Sequence, residues 1–172
     1  MADSSFDMVF SSEMLEHLDN NTLFKVINEF KRISKKYVLI TVPNGENPNK
    51  LAIKCPKCSF IYNRPNHLQS FTANDFKKLF PEFRILDSFS FGPKTRYYNK
   101  QLLNLKLKYT PAKSWVPYFW ISKNNRKTFC PNCEHNFEFQ YRFNPIASAI
   151  DITNVLISPK KPYWLFVLME KQ

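Results

Sequence analysis

Phe6-Asp7-Met8-Val9-Phe10-Ser11-Ser12-Glu13-Met14-Leu15-Glu16-His17-Leu18 (FDMVFSSEMLEHL) is the stretch that decides the fold of this chain. Its first half is apolar and turns polar at Glu13, the pattern of a buried strand running out into a loop. Asp19-Asn20-Asn21 comes next, with side-chain oxygens suited to capping a helix. Leu23, Val26, Ile27, Phe30 and Ile33 then recur at helical spacing. Tyr37 to Val42 (YVLITV) is β-branched and apolar on both faces, as a strand inside a parallel sheet is, and Pro43 ends it. Strand, helix and strand make a crossover unit, which predicts an α/β fold.

Further along, Thr72 followed three residues later by Asp75 resembles a capping box. Phe76, Leu79 and Phe80 give a short apolar face that stops before Pro81. Phe83 to Phe91 (FRILDSFSF) alternates at period two, and Tyr163 to Leu168 (YWLFVL) is continuously apolar, so both predict strands. The interval 92–162 is too long for a simple connection and is expected to be an insertion with order of its own, basic and rich in aromatics. A shorter insertion, 45–66, follows the second strand. The whole of 1–172 is expected to form one domain.

The FD, apolar strand and E-x-L-E-H order of Phe6 to Leu18 resembles the fourth-strand segment of class I S-adenosylmethionine-dependent methyltransferases. A helix, a strand closing on Val42-Pro43-Asn44, the helix at Thr72 to Phe80 and two final strands follow in that family's order. Within it, the small-molecule enzymes similar to those of ubiquinone biosynthesis are the nearest likeness. The resemblance implies a partial Rossmann-like sheet with strands equivalent to the family's fourth to seventh. It places Ser11, Ser12, Glu13 and His17 beside the cofactor, S-adenosylmethionine, and Asn44 on the substrate side, because ligands of open α/β sheets bind beyond the carboxyl ends of the strands. His67, in Asn66-His67-Leu68, is the candidate base for an acceptor that has a proton to lose. A second reading of Glu16-His17 is that it starts the following helix and satisfies its first amide donors.

The family's first strand ends in a Gly-rich turn against the cofactor, and an acid after the second strand grips the ribose. Neither is present in these residues, whose only glycines are Gly45 and Gly92. The expectation is a chain without its N-terminal half, incompetent alone, or a second polypeptide that completes the sheet along the exposed edge of the first strand.

Cys55-Pro56-Lys57-Cys58 and Cys130-Pro131-Asn132-Cys133 are two C-P-x-C knuckles. Four thiolates from two knuckles form a closed tetrahedral zinc site, whose full shell leaves no position for a substrate and so predicts a structural role. His135 is a spare ligand. Free or redox-active thiols and an iron–sulfur cluster are the alternatives.

The formal net charge is +11. The segment Ser88 to Cys133 contains no Asp or Glu while holding Lys94, Arg96, Lys100, Lys106, Lys108, Lys113, Lys123, Arg126 and Lys127. Interleaved with Tyr97, Tyr98, Tyr109, Trp115, Tyr118, Phe119, Trp120 and Phe129, these cations suit a phosphate backbone with stacked bases. The reading preferred here is that the aromatics pack a satellite core around the metal and the lysines are solvated, because lysine is poor at planar recognition. No segment resembles a secretory leader or a membrane span, which together with paired cysteines places the chain in the cytosol. A basic zinc module contacting nucleic acid or another subunit is the alternative to a methyltransferase of a small molecule, modified carbohydrate or lipid.

Overall fold

The computed structural model describes residues 1–172. In chain order the strands and helices are β1 (Phe6–Ser12), α1 (Asn20–Ile33), β2 (Ser34–Pro43), β3 (Ala52–Lys54), β4 (Ile61–Asn63) and α2 (Ala73–Leu79). They continue with β5 (Phe83–Arg96), α3 (Lys100–Tyr109), β6 (Lys127–Phe129), β7 (Asn136–Glu138), α4 (Pro145–Ile157) and β8 (Lys160–Lys171). No helix is long and apolar enough to cross a membrane. The chain divides into two compact units, one of Met1–Glu46, His67–Thr95 and Lys160–Gln172, the other of Asn47–Asn66 and Arg96–Pro159.

The first unit is the expected α/β layer, a four-stranded sheet in the order β1-β2-β8-β5. β1 and β2 are parallel and joined through α1, whereas β8 enters between β2 and β5 and runs antiparallel to β2. Asp19 starts α1 by accepting hydrogen bonds from the amides of Asn21 and Thr22, at 2.9 and 3.1 Å. That identifies the cap and leaves Glu16 and His17 outside the helix, in a separate 3-10 turn over Leu15–His17. Leu23 and Ile27 of α1 and Phe76 of α2 join Phe80 against the rows Val9-Val38-Met169 and Ile40-Val167 of the sheet, and all of these side chains are buried. Removing this much apolar surface from water is the main stabilising term of the unit.

The opposite rows of the same strands are less covered. Phe10, Leu39 and Leu168 stand in register on that face, and Phe89 stacks on Phe166 with ring centroids 4.6 Å apart. Met8, Phe10, Phe89 and Phe91 remain exposed. β1 pairs only with β2, so its outer backbone groups form a sheet edge.

β5 runs past the expected end at Phe91. Gly92, at φ +88, lies flat against the Trp164 ring, where an added Cβ would come within 2.1 Å of the indole. Gly-Pro in the sequence therefore marks a close approach inside a strand and not its end.

The second unit holds two hairpins, β3–β4 and β6–β7, together with α3 and α4. Its small core packs Trp115, Val116, Ile121 and Phe139 around Ala52 and Ile53. Fully buried Lys106 of α3 donates to both carboxylate oxygens of Asp151 in α4 at 2.8 Å and to the Trp115 carbonyl at 2.9 Å, which satisfies its three donors. Tyr98 donates its hydroxyl to the same Asp151, at 2.6 Å.

Candidate functional sites

Parallel strands β1 and β2 end side by side, and the chain beyond each reaches the same place. Ser12 closes β1, Glu13 follows in the left-handed region at φ 47, and the 3-10 turn buries Glu16 and leaves the neighbouring His17 exposed. Beyond β2, Asn44 and Gly45 lead to Glu46, and the chain returns at His67, preceded by Asn66 at φ 59. The amides of Leu68 and Gln69 donate to the Glu16 carbonyl at 2.6 and 3.0 Å, which ties the two loops together.

Within this mouth the ligand atoms of Glu16, His17 and His67 lie within 4.8 Å of one another. His67 is buried, and its Nδ1 meets Glu46 Oε2 at 2.8 Å. Its ring packs edge to face with that of His17, centroids 4.8 Å apart. Glu16 is 1% exposed, neither of its carboxylate oxygens has a hydrogen-bond partner, and His17 Nε2 stands 4.0 Å from Oε1. Burial lowers the His67 pKa, but the hydrogen bond and charge of Glu46, helped by Glu16 and Glu13, outweigh it and leave the pKa raised. Glu13 is raised by partial burial and by the Glu16 carboxylate, against the opposing pull of a Trp164 hydrogen bond and the two imidazoles. Burial, then the carboxylates of Glu46, Glu13 and Glu16, push Tyr163 up as well. Three carboxylates thus converge on one mouth, a field that suits a cation.

The residues singled out in the sequence fall unevenly around it. Ser11 and Ser12 point to opposite faces of β1: Ser11 Oγ is buried without a partner, while Ser12 Oγ accepts from Thr41 at 2.8 Å. The Asn44 carboxamide donates to Ser90 Oγ at 2.9 Å and to the Pro162 carbonyl at 3.3 Å, so it ties neighbouring strand ends together. His17 and His67 meet edge to face, and Glu13 feels the charge of both imidazoles. Sequence reasoning missed Glu16 as a buried acid that accepts no hydrogen bond and Glu46 as the partner of His67. The odd placement of an acid on the apolar side of a short turn was the only available signal.

In the second unit, Cys55, Cys58, Cys130 and Cys133 bring their four sulfurs within 4.8 Å of one another. Cys55 and Cys133 Sγ are 3.7 Å apart and Cys58 and Cys130 Sγ 3.6 Å apart, far beyond the roughly 2.05 Å of a disulfide. Four ligands about 2.3 Å from a tetrahedral centre would be separated by about 3.8 Å, so the sulfurs are spaced for a metal of zinc's size. The two knuckles share one construction. In each, a three-residue strand ends just before the first cysteine, and the amide of the residue four positions on donates back to that cysteine's carbonyl (Ser59 to Cys55, 3.0 Å; Glu134 to Cys130, 2.9 Å). Ser59 and Glu134 have matching φ values of 62 and 56, and the second strand begins two residues later. His135 stacks on Phe137 and is not part of the sulfur cluster. A hydrogen bond from the Phe60 amide holds the Cys58 thiol down at about 6, whereas burial drives Cys133 up to about 12. Four neighbouring thiols cannot all ionise unless a cation compensates them.

The basic, aromatic segment divides similarly. Tyr98 and Trp115 are buried in the second unit, while Tyr109, Phe119 and Phe129 remain exposed.

No protein-family model and no curated protein matches the sequence. Among solved structures, the chain is similar to a SAM-dependent methyltransferase of Archaeoglobus fulgidus, with 18% identity and a TM-score of 0.48 over 99% of this chain and 62% of that one. It is also similar to a protein of Bacillus halodurans classed as a methyltransferase, with 12% identity and a TM-score of 0.48 over 99% of this chain and 66% of that one. The chain therefore spans less than two thirds of the length of either.

Proposed function

We propose that these residues are part of a class I S-adenosylmethionine-dependent methyltransferase acting on a small molecule or a modified carbohydrate or lipid. The observation that carries the reading is the mouth at the carboxyl ends of β1 and β2, where Glu13, Glu16 and Glu46 converge. A sulfonium is a cation, and an open α/β sheet receives its ligands at that end. The family resemblance of Phe6 to Leu18 assigns the same loop to the cofactor. The residues present fit the methionine end of S-adenosylmethionine and supply nothing for its ribose and adenine. The cofactor brings the transferable methyl group; Glu13 and Glu16 provide negative charge beside it, and His67, oriented by Glu46, is the group placed to take a proton from an acceptor.

The missing Gly-rich turn would come from polypeptide other than these 172 residues, in the same chain or in a partner. The free edge of β1 and the exposed Met8 and Phe10 support that completion. The test is calorimetric titration of S-adenosylmethionine into the 172 residues alone and into a form completed by the coding sequence upstream of Met1 or by a co-expressed polypeptide bearing a Gly-rich turn. Binding is expected only in the completed form. Saturable binding by the 172 residues alone would overturn their incompetence, and a completed form that binds nothing would overturn the methyltransferase reading.

The sulfur cluster is proposed to hold a structural zinc ion that joins the two hairpins. Elemental analysis should give one zinc per chain, and iron with a visible absorption band would favour a cluster instead. One observation keeps a second reading alive: Tyr109, Phe119 and Phe129 are exposed within a segment that carries nine cations and no acid. Salt-sensitive binding of single-stranded RNA by the second unit's surface, with a slope that falls on Lys→Ala substitution, would favour the binding module.

A further inference from the structure

We propose that the second unit docks on the surface of an anionic phospholipid bilayer, with the outward face of α4 lying in the interface and cations of the same unit against the headgroups. The observation that carries this is that α4 is inside out. Asp151, its only charged residue, is turned inward and accepts from Lys106 and Tyr98. Asn154 is buried as well: it accepts from the Asn99 amide at 2.9 Å and the Ser158 hydroxyl at 2.8 Å, and donates to the Tyr97 carbonyl at 3.2 Å. Ile146, Ile152, Val155, Leu156 and Ile157 face outward instead, between 51% and 79% exposed. A surface helix of a water-soluble domain has the reverse pattern, and a contiguous apolar patch left in water marks a contact surface.

Charge decides what that face meets. The second unit holds thirteen Lys and Arg against three acids, Glu134, Glu138 and Asp151, whereas the first unit holds twelve against eleven. Nearly all of the net charge of +11 therefore belongs to the unit that carries the uncovered helix. The two features also touch: Lys50 and Arg96 line, together with Phe119, Ile152 and Val155, a groove of about 260 Å³ along α4. Arg96 Nη1 donates to the Val155 and Ser158 carbonyls at 2.8 and 2.5 Å, which fixes a guanidinium at the C-terminal end of the helix. A second copy of the chain would bring the same positive field against its own. Single-stranded RNA would meet the cations, but isoleucine, valine and leucine give its bases no ring to stack on. An anionic bilayer answers both halves of the surface, since acyl chains receive the aliphatics and headgroups the cations. Thirteen residues make α4 about 20 Å long, short of the roughly 30 Å hydrocarbon core, so the helix lies along the membrane and does not cross it.

The probe is a vesicle of phosphatidylglycerol mixed with phosphatidylcholine, compared with one of phosphatidylcholine alone, and the readout is the fraction of chain that sediments with the lipid. We expect the anionic vesicles to take up the chain and the neutral ones to take up at least tenfold less. Ile152→Ser combined with Leu156→Ser, at positions 61% and 79% exposed and so harmless to the core, should lower the partition coefficient at least tenfold. Lys50→Gln should lower it severalfold at low salt and have little effect at high salt, where the headgroup field is screened. Three results would overturn the proposal: no uptake by the anionic vesicles, equal uptake by both compositions, or full uptake by the double variant, as loose polycation adsorption or an RNA-binding surface would give. A stable dimer of the unaltered chain that the double variant dissolves would overturn it too, because the face would then be covered by a second copy. None of these measurements involves S-adenosylmethionine, so their failure is separable from failure of the methyltransferase reading.

Discussion

The sulfur cluster and the Glu16–His17–His67 cluster gather their side chains by opposite means. Each cysteine pair sits in a hairpin turn with one local hydrogen-bond pattern, and the second pair repeats the first down to the left-handed residue at its end. The imidazole and carboxylate cluster has no local template. It exists because two parallel strands end together and the loops beyond them are pinned by backbone bonds from Leu68 and Gln69. Where ligands come from repeated turns, the ion itself is expected to hold the structure together. Where side chains are gathered at strand ends, the hydrophobic core holds them in place.

The largest effect should separate the two. On the proposed zinc reading, treatment with a chelator, or replacing Cys130 by Ser, is expected to abolish amide-exchange protection of β3, β4, β6 and β7, since structural zinc contributes on the order of 10 kcal/mol in small zinc-dependent folds. Exchange protection of β1, α1 and β2 should be unchanged by the Cys130→Ser substitution. Next comes the core that supports the other cluster: Phe76→Ala, at a fully buried ring of α2, should cost about 3–5 kcal/mol in denaturant unfolding. Glu16→Gln should go the other way, raising stability by about 1 kcal/mol, because a neutral amide is cheaper to bury than a carboxylate that accepts no hydrogen bond. A fall in melting temperature would mean that Glu16 has a stabilising partner, which would undo the comparison.

The smallest effect concerns the helix behind the mouth. Asp75 accepts from the Thr72 amide at 2.8 Å and from its hydroxyl at 2.7 Å, and the Thr72 hydroxyl holds the Asp75 carboxyl below its usual range. A depressed folded-state pKa gives stability that is present above the unfolded value, about 3.9, and is lost as pH falls through the folded one. Thr72→Ala should therefore cost about 1 kcal/mol at neutral pH and less in acid, which a pair of urea titrations at pH 7 and pH 3 would read.

How much of this the sequence disclosed follows from the range of the forces involved. β1, α1 with its Asp19 cap, β2 and α2 rest on contacts within a few residues and on apolar periodicity, and each is present near its expected limits. The cysteine knuckles were equally plain, and equal offsets from each pair to its flanking residues could have revealed the hairpins. α3 and α4 lie inside the interval read only as an ordered insertion, although Asn99 and Asn144-Pro145 are capping signals for both. The nearness of Glu16 to His67 was beyond reach, because it depends on where β2 ends in space and on how the chain returns after residues 47–66. His67 could be named as a functional candidate but not located, and Asn44, expected on the substrate side, spends its carboxamide on Ser90 and Pro162.

The uncovered rows of the sheet have a practical corollary. Phe10, Phe89 and Phe91 beside an unpaired strand edge are adhesive toward other copies, and the charge of +11 is what would hold those copies apart. Charge repulsion fades as added ions shorten its reach from about 30 Å at 0.01 M to about 8 Å at physiological ionic strength, while hydrophobic attraction does not. Handled in isolation, the chain should stay dispersed in dilute buffer and coalesce as salt is raised, so its colloidal behaviour reports directly on whether that face has found its cover.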